Sequence, residues 1–281
     1  MKSLLLSMAL ASTALAPAQS PVVDNYAPPK NPTVLTTTFV DWDSLLPRDT
    51  AAGQSRQVFD NPTTTVDKFE VHITTLNPGK ESHPIHHHPW EELLLIKDGQ
   101  FDVSINGKVQ HAGPGALVFF ASNDPHNAKN VGATPGTYYV INFVSDLAHD
   151  SNAKSAAEQN LPGKLASGIY DPATMTPTPT KAGQRLVVLD SPTLTFQALE
   201  CHISTLNPGQ HTDPDIVDHN DEFVVVKSGD IEMTVDGIAS RMHAGSVIFW
   251  APNVKRAIRN LGPTPASYQI FRVITAKSPK M

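Results

Sequence analysis

The stretch His72-Ile73-Thr74-Thr75-Leu76-Asn77-Pro78-Gly79 returns later in the chain as His202-Ile203-Ser204-Thr205-Leu206-Asn207-Pro208-Gly209. The offset is 202 − 72 = 130, and it extends without a gap in both directions. Downstream it relates Glu92 to Glu222, Gly99 to Gly229, Gly115 to Gly245 and Asn130-Val131-Gly132 to Asn260-Leu261-Gly262. Upstream it relates Asp60 to Asp190, Gly53-Gln54 to Gly183-Gln184 and Asp41 to Asp171. A fixed internal period marks one structural unit present twice. Between the copies, a stretch rich in Ser, Ala, Pro and Thr, with Pro162, Pro172, Pro177 and Pro179, reads as a connector.

Inside each copy the pattern is that of strands. Leu93-Leu94-Leu95-Ile96 before Asp98-Gly99 is a buried strand entering a turn, and Phe101 to Ile105 alternates into the hairpin signal Asn106-Gly107. The second copy repeats this with Phe223 to Val226, then Ile231 to Val235 before Asp236-Gly237. Short strands at close spacing, with 16 Gly and 24 Pro among 281 residues, predict an all-β sandwich or barrel. A hydrophobic content of 40% supplies real cores, and a net charge of −6 excludes the basic excess of a nucleic-acid binder. A single cysteine, Cys201, excludes a disulfide framework and any multi-cysteine zinc site, and it is read as a small buried hydrophobe.

The first residues, MKSLLLSMALASTALAPAQS, combine Lys2, an apolar run from Leu4 to Leu15 and small residues at Ala14, Ala16 and Ala18. This is the pattern of a secretory signal peptide over residues 1–18. The run is too short to span a membrane comfortably, and nothing later resembles a span. The expectation is an exported protein, periplasmic or secreted.

The chemistry concentrates in the first copy. His86 and His88 are two apart, so on a strand they share a face, and Glu92 follows the bend at Pro89. Further on, Gly113-Pro114-Gly115 precedes an apolar strand and then Asp124-Pro125-His126, with Asn130 four residues later. Three imidazoles and a carboxylate suit a divalent transition metal, whether Fe, Mn, Ni, Cu, Co or Zn. Alternation turns His87 away from this face. His83 is read as a surface residue, with a guard at the pocket mouth as the alternative; His72 and His202 are read as structural, and Asn130 and Asn260 as supports for turns.

The run from Gly79 through His86, His88 and Glu92 to Gly99 resembles the first cupin motif, and Gly115 through Pro125, His126 and Asn130 resembles the second. The first gap, from Gly79 to His86, is one residue longer than the family usually has. The resemblance implies two tandem cupin barrels (jelly rolls, or double-stranded β-helices), a bicupin, with His86, His88, Glu92 and His126 binding one metal. It divides the chain into a first barrel over 35–148, a linker over 149–181 and a second barrel over 182–277.

The second copy departs from the pattern. At the 130 offset His86 becomes Ile216, His88 becomes Asp218 and His126 becomes Arg256, leaving Glu222 alone. Isoleucine cannot ligate and a guanidinium repels a cation, so Arg256 is expected to face Glu222 and Asp218 as an ion-pair core, with an anion-binding pocket as the alternative. One metal per chain follows.

Fold and ligand set leave the reaction open. A metal site only in the first half of an exported bicupin resembles the flavonol dioxygenases called quercetinases. That resemblance implies a dioxygenase-type oxidoreductase on a small aromatic or enolic molecule, with Glu92 as base. The spacing between His88 and Glu92 is one residue shorter than in those enzymes. Leu94, Ile96 and Phe119 are candidate pocket residues, with Phe120 excluded if Phe119 faces inward; Trp90 is either a lid or rim packing. The alternatives are a non-catalytic metal- or ligand-binding cupin, or a metal-dependent lyase, isomerase or hydrolase. The expected partner is a small-molecule substrate or ligand, with no nucleic acid and no membrane; cupins often pair through edge strands, but two units in one chain can cover each other, so monomer and homodimer are both open.

Overall fold

Period-two alternation within one strand generates the layers of the molecule. The computed structural model describes residues 21–213 and 216–279, so the leader expected over residues 1–18 lies outside the described residues. In the strand Glu91–Asp98, Leu93 and Leu95 point one way and Leu94 and Ile96 the other. The first pair joins a cluster shared by both barrels, with Phe59, Phe69 and Phe143 from the first copy and Phe223, Phe249 and Phe271 from the second. The second pair joins the interior of the first barrel with Phe101, Val103 and Tyr138. Burial on both faces explains why the sequence reads as an unbroken apolar run rather than an alternating one.

Each copy is a pair of sheets, antiparallel but for one short parallel edge strand in the first, which is the all-β tandem-barrel architecture expected from the sequence. In the first, a five-stranded sheet runs Val22–Val23, His86–His87, His126–Asn130, Phe101–Ile105, Lys108–Ala112. Its partner sheet has seven strands, with Glu91–Asp98 and Gly136–Val144 at the centre. The hairpin at Asn106-Gly107 has φ of 49° and 76°, and Asp236-Gly237 repeats it at 47° and 84°. Two consecutive positive φ values are what a two-residue turn needs to match strand twist.

The segment expected as a linker contains more than connection. Gly168–Tyr170 pairs antiparallel with Leu117–Phe120 of the first barrel. Its counterpart at the 130 offset, Thr38–Val40, pairs with Val247–Trp250 of the second barrel. Each copy therefore lends its leading strand to the sheet of the other. Each of these strands is followed by an Asp-capped 3₁₀ turn, Trp42–Ser44 after Asp41 and Pro172–Thr174 after Asp171. The Pro and Ser content hid a repeat element that the offset could have revealed.

A second reciprocal contact locks the barrels. Glu91 accepts hydrogen bonds from the Thr193 hydroxyl at 2.6 Å and the Leu194 amide at 3.1 Å. Asp221, its counterpart, accepts from the hydroxyls of Thr63 and Thr65. Cys201 is fully buried, as expected, and burial pushes its thiol up to about 12.

Candidate metal centre

Neighbouring strands deliver the imidazoles. His126 opens its strand directly opposite His86 in antiparallel register, and His88 follows two residues after His86. Each ring is anchored through Nδ1 to a backbone carbonyl: His86 to His126 O at 3.2 Å, His88 to Trp90 O at 3.0 Å and His126 to Asp124 O at 2.8 Å. A carbonyl only accepts, so each Nδ1 carries a proton and Nε2 is the ring nitrogen left to ligate. One nitrogen from each ring lies within 4.8 Å of the others. The Nε2 atoms of His88 and His126 are buried with no hydrogen-bond partner. Buried nitrogens left unsatisfied while their opposite atoms are fixed are the donor set a metal requires.

Glu92 approaches from the His88 and His126 side, with Oε2 3.4 Å from His88 Nε2 and Oε1 3.9 Å from His126 Nε2. Burial pushes His86 down to about 4, helped by His83 beside it, and pushes His126 well below its ordinary value. Burial opposes ionisation of Glu92, but the imidazoles of His88, His126 and His86 beside it outweigh burial and hold the carboxyl well below the usual carboxylate range. With His86 and His126 held neutral beside a carboxylate, the site is in the protonation state that binds a divalent cation.

The four residues face a cavity of about 490 Å³. Its walls include Trp90, Leu94, Phe120, Tyr138 and Val140, and no Lys or Arg is among the described lining residues. Phe120 stacks on His126 with centroids 3.9 Å apart, and Trp90 stacks on His88 at 4.1 Å.

Three expectations need correction. Phe119 points into the cluster between the barrels and Phe120 takes the cavity face, because Phe120 pairs with Glu92 in register and shares its side of the sheet. Ile96 is buried in the barrel interior, two residues further along the strand than Leu94, and does not reach the cavity wall. His83 borders the cavity instead of standing on the surface, its ring 3.7 Å from that of His86. Trp90 belongs to the wall, and His72, though held by Glu70 at 2.8 Å, also borders the cavity. Asp24 was invisible to motif reading and lies at the mouth, Oδ2 3.5 Å from His86 Nε2. His87 turns to Asn123 at 3.3 Å, away from the cavity.

In the second barrel Arg256 donates from Nη2 to Glu222 and stands 3.8 Å from Asp218. Asp218 has a closer partner that the sequence reading missed: Arg272, whose Nη1 is 2.5 Å away and whose other nitrogens bind Glu200. The offset gives the signal, since Glu200 and Arg272 replace Glu70 and Asn142. Arg256 covers Trp250 at 4.7 Å, as His126 covers Phe120. A smaller cavity of about 270 Å³ remains, with its carboxylates paired to guanidinium groups. A separate trio gathers at the surface, with His243 Nδ1 3.2 Å from Asp41 and its Nε2 3.8 Å from Asp43.

The cupin domain model matches residues 72–142 and 202–272. Among solved structures, the oxalate decarboxylase of Lactobacillus farciminis in a formate complex is 15% identical with a TM-score of 0.64, covering 90% of each chain. A single-residue variant of the oxalate decarboxylase of Bacillus subtilis is 16% identical with a TM-score of 0.63, over 88% of this chain and 79% of that one. Another structure of the Bacillus subtilis enzyme, described for its Mn(II) centres, has 15% identity, a TM-score of 0.62 and the same coverage. These likenesses establish the fold. Comparison with curated proteins gave no match.

Proposed function

The chain belongs to the cupin family, carrying the domain twice, and from that premise we propose that it is a metal-dependent oxidoreductase of the dioxygenase type. Its substrate is a small aromatic or enolic molecule, bound at the first barrel. The observation that carries this reading is the cavity wall: aromatic rings of Trp90, Phe120 and Tyr138 surround three Nε2-presenting imidazoles and one carboxylate, with no cationic side chain among the described lining residues. His86, His88, His126 and Glu92 would hold one divalent ion, and Fe, Mn, Ni, Cu, Co and Zn all accept such a set. Bound there, the ion would supply Lewis acidity and sites for a substrate oxygen and dioxygen.

The protein's own groups then have distinct tasks. The rings of Trp90 and Phe120 hold a planar substrate beside the imidazoles they stack on. Glu92, the carboxylate closest to His88 and His126, takes the proton of a substrate hydroxyl. Leu94 and Val140 keep water from the ring.

A lyase acting on a small dicarboxylate is the second reading, favoured by the likeness in fold to oxalate decarboxylases. A dianion would find no Lys or Arg on the described cavity wall, which ranks this reading below the first. Oxygen consumption by the Fe, Mn, Ni, Cu and Co forms, measured on flavonols, catechols and oxalate, separates them. Uptake with an aromatic or enolic compound that is lost in Glu92→Gln supports the proposal. Carbon dioxide release from oxalate without oxygen uptake, or inertness across the panel, contradicts it.

We also propose that the chain is exported, on the leader pattern of residues 1–18. Protein recovered outside the cytoplasm should begin at Pro17 or Gln19; recovery there with Met1 intact would contradict a cleaved leader.

A further inference from the structure

The edge of the sheet that carries His86 is completed by Val22–Val23, a short strand running parallel to His86–His87. Val22 N donates to Ile85 O at 3.0 Å and Asp24 N donates to His87 O at 2.9 Å. These bonds set Asp24 at the cavity mouth, where its Oδ2 lies 3.5 Å from His86 Nε2. We propose that Asp24 is a further carboxylate ligand of the metal centre, delivered across the mouth by this strand and withdrawn with it. The inference rests on the reading that His86, His88, His126 and Glu92 hold a divalent ion.

Geometry and charge both point this way. Ligand atoms about 2.1 Å from an ion lie about 3 Å apart when adjacent and about 4.2 Å apart when opposite. The Asp24–His86 separation of 3.5 Å falls in that interval, as do the Glu92 separations of 3.4 and 3.9 Å; only the three imidazoles lie within 4.8 Å of one another as a set, so both carboxylates would close further on the ion. Glu92 closes on the imidazoles from the side of His88 and His126, and Asp24 from the side of His86. His86 Nδ1 is engaged by the His126 carbonyl, which leaves Nε2, the ring atom nearest Asp24, free for the ion. A divalent ion with Glu92 alone leaves one positive charge in a cavity whose described wall has no other anion, and Asp24 neutralises it.

The strand is also built to move. Val22 is 51% and Val23 44% exposed, so little apolar surface holds it down. Its remaining anchors are few: Asn25 against the Ser151 hydroxyl at 2.5 Å and Tyr26 stacked on His149 at 4.0 Å. A segment held by a few hydrogen bonds and scant burial opens at low free-energy cost. Opening would free one coordination position and widen the mouth together, which couples substrate entry to ligand exchange.

The test is Co²⁺ binding to the purified, metal-stripped protein, followed by visible absorption, with Asp24→Asn, Val22→Pro, Asp102→Asn and His126→Ala compared to the unaltered chain. Loss of a coordinating group typically weakens metal affinity at least tenfold or so. Asp24→Asn should raise the Kd for Co²⁺ about tenfold or more and intensify the d–d bands, as a lower coordination number does. Val22→Pro removes the N–H that bonds Ile85, so the Asp24 carboxylate is retained but its strand is loosened, and Kd should shift in the same direction. Asp102→Asn, an equal charge change on a partly exposed side chain outside the cavity wall, should change neither. An Asp24→Asn protein with unaltered Kd and spectrum, alongside a His126→Ala protein that no longer binds, overturns this inference and leaves the parent site standing. Unaltered binding by Val22→Pro overturns delivery by the strand. Retained binding in His126→Ala overturns the parent reading and this one together.

Discussion

Phe119 and Phe120 are adjacent, both almost fully buried, and do unlike jobs. Phe119→Ala opens a void between the barrels and should cost about 3–5 kcal/mol in denaturant melts while leaving metal affinity unchanged. Phe120→Ala removes the ring stacked on His126 and should lower metal affinity as well as stability. Equal effects of the two on metal binding would contradict the assignment. Asn130 is a second single-residue test. Its buried amide donates to the Leu76 and Thr134 carbonyls and accepts from Gly132 N, and Asn260 repeats all three bonds. Asn130→Ala should destabilise by about 2–4 kcal/mol; a loss under about 1 kcal/mol would contradict its role as the clamp on that turn. At this scale the sequence was legible wherever chemistry dictates residue type: the imidazoles, Glu92, and the two asparagines. It was ambiguous where only facing differs, because alternation says that Phe119 and Phe120 oppose each other but not which one faces the cavity. Asp24 was hidden because its neighbour His86 is 62 residues away in sequence (86 − 24 = 62) and no local pattern joins them.

The strands themselves were readable from their apolar runs and turn residues, and both Asx-Gly hairpins lie where the dipeptides put them. Gly99 shows how strictly one turn is specified. Its φ is 95°, and a Cβ there would come within 2.5 Å of Gly136 Cα. Gly99→Ala should therefore cost at least about 2 kcal/mol, read from the denaturation midpoint, and a neutral effect would mean that the two turns do not touch. The exchanged strands were less legible. Thr38–Val40 and Gly168–Tyr170 are three residues each, too short for a periodicity signal, and their partners are non-local. The fixed offset placed them in correspondence, but only the paired sheets reveal that each copy completes the other.

For the whole molecule, the exchange and the shared phenylalanine cluster make the two barrels one stability unit, and the buried carboxylates at their junction make that unit sensitive to pH. Burial raises Glu91 from 4.5 to about 7 despite its hydrogen bonds to Thr193 and the Thr195 segment, and raises Asp221 in the same direction. Between pH about 4.5 and 7 the folded chain keeps a proton on Glu91 that the unfolded chain releases, so this residue's contribution to stability falls as pH rises through that window. The size is about 3 kcal/mol, and Glu91→Gln should remove that part of the slope when the two proteins are compared across the window. Parallel profiles would contradict a protonated Glu91. The division of labour between the barrels follows from the same duplication: His126 and its counterpart Arg256 occupy equivalent places, and one presents a lone pair while the other presents a cation. Metal content per chain tests this most directly. The account predicts about one equivalent of tightly held divalent metal in the purified protein and close to none in His126→Ala; two equivalents, or full occupancy in the variant, would contradict it.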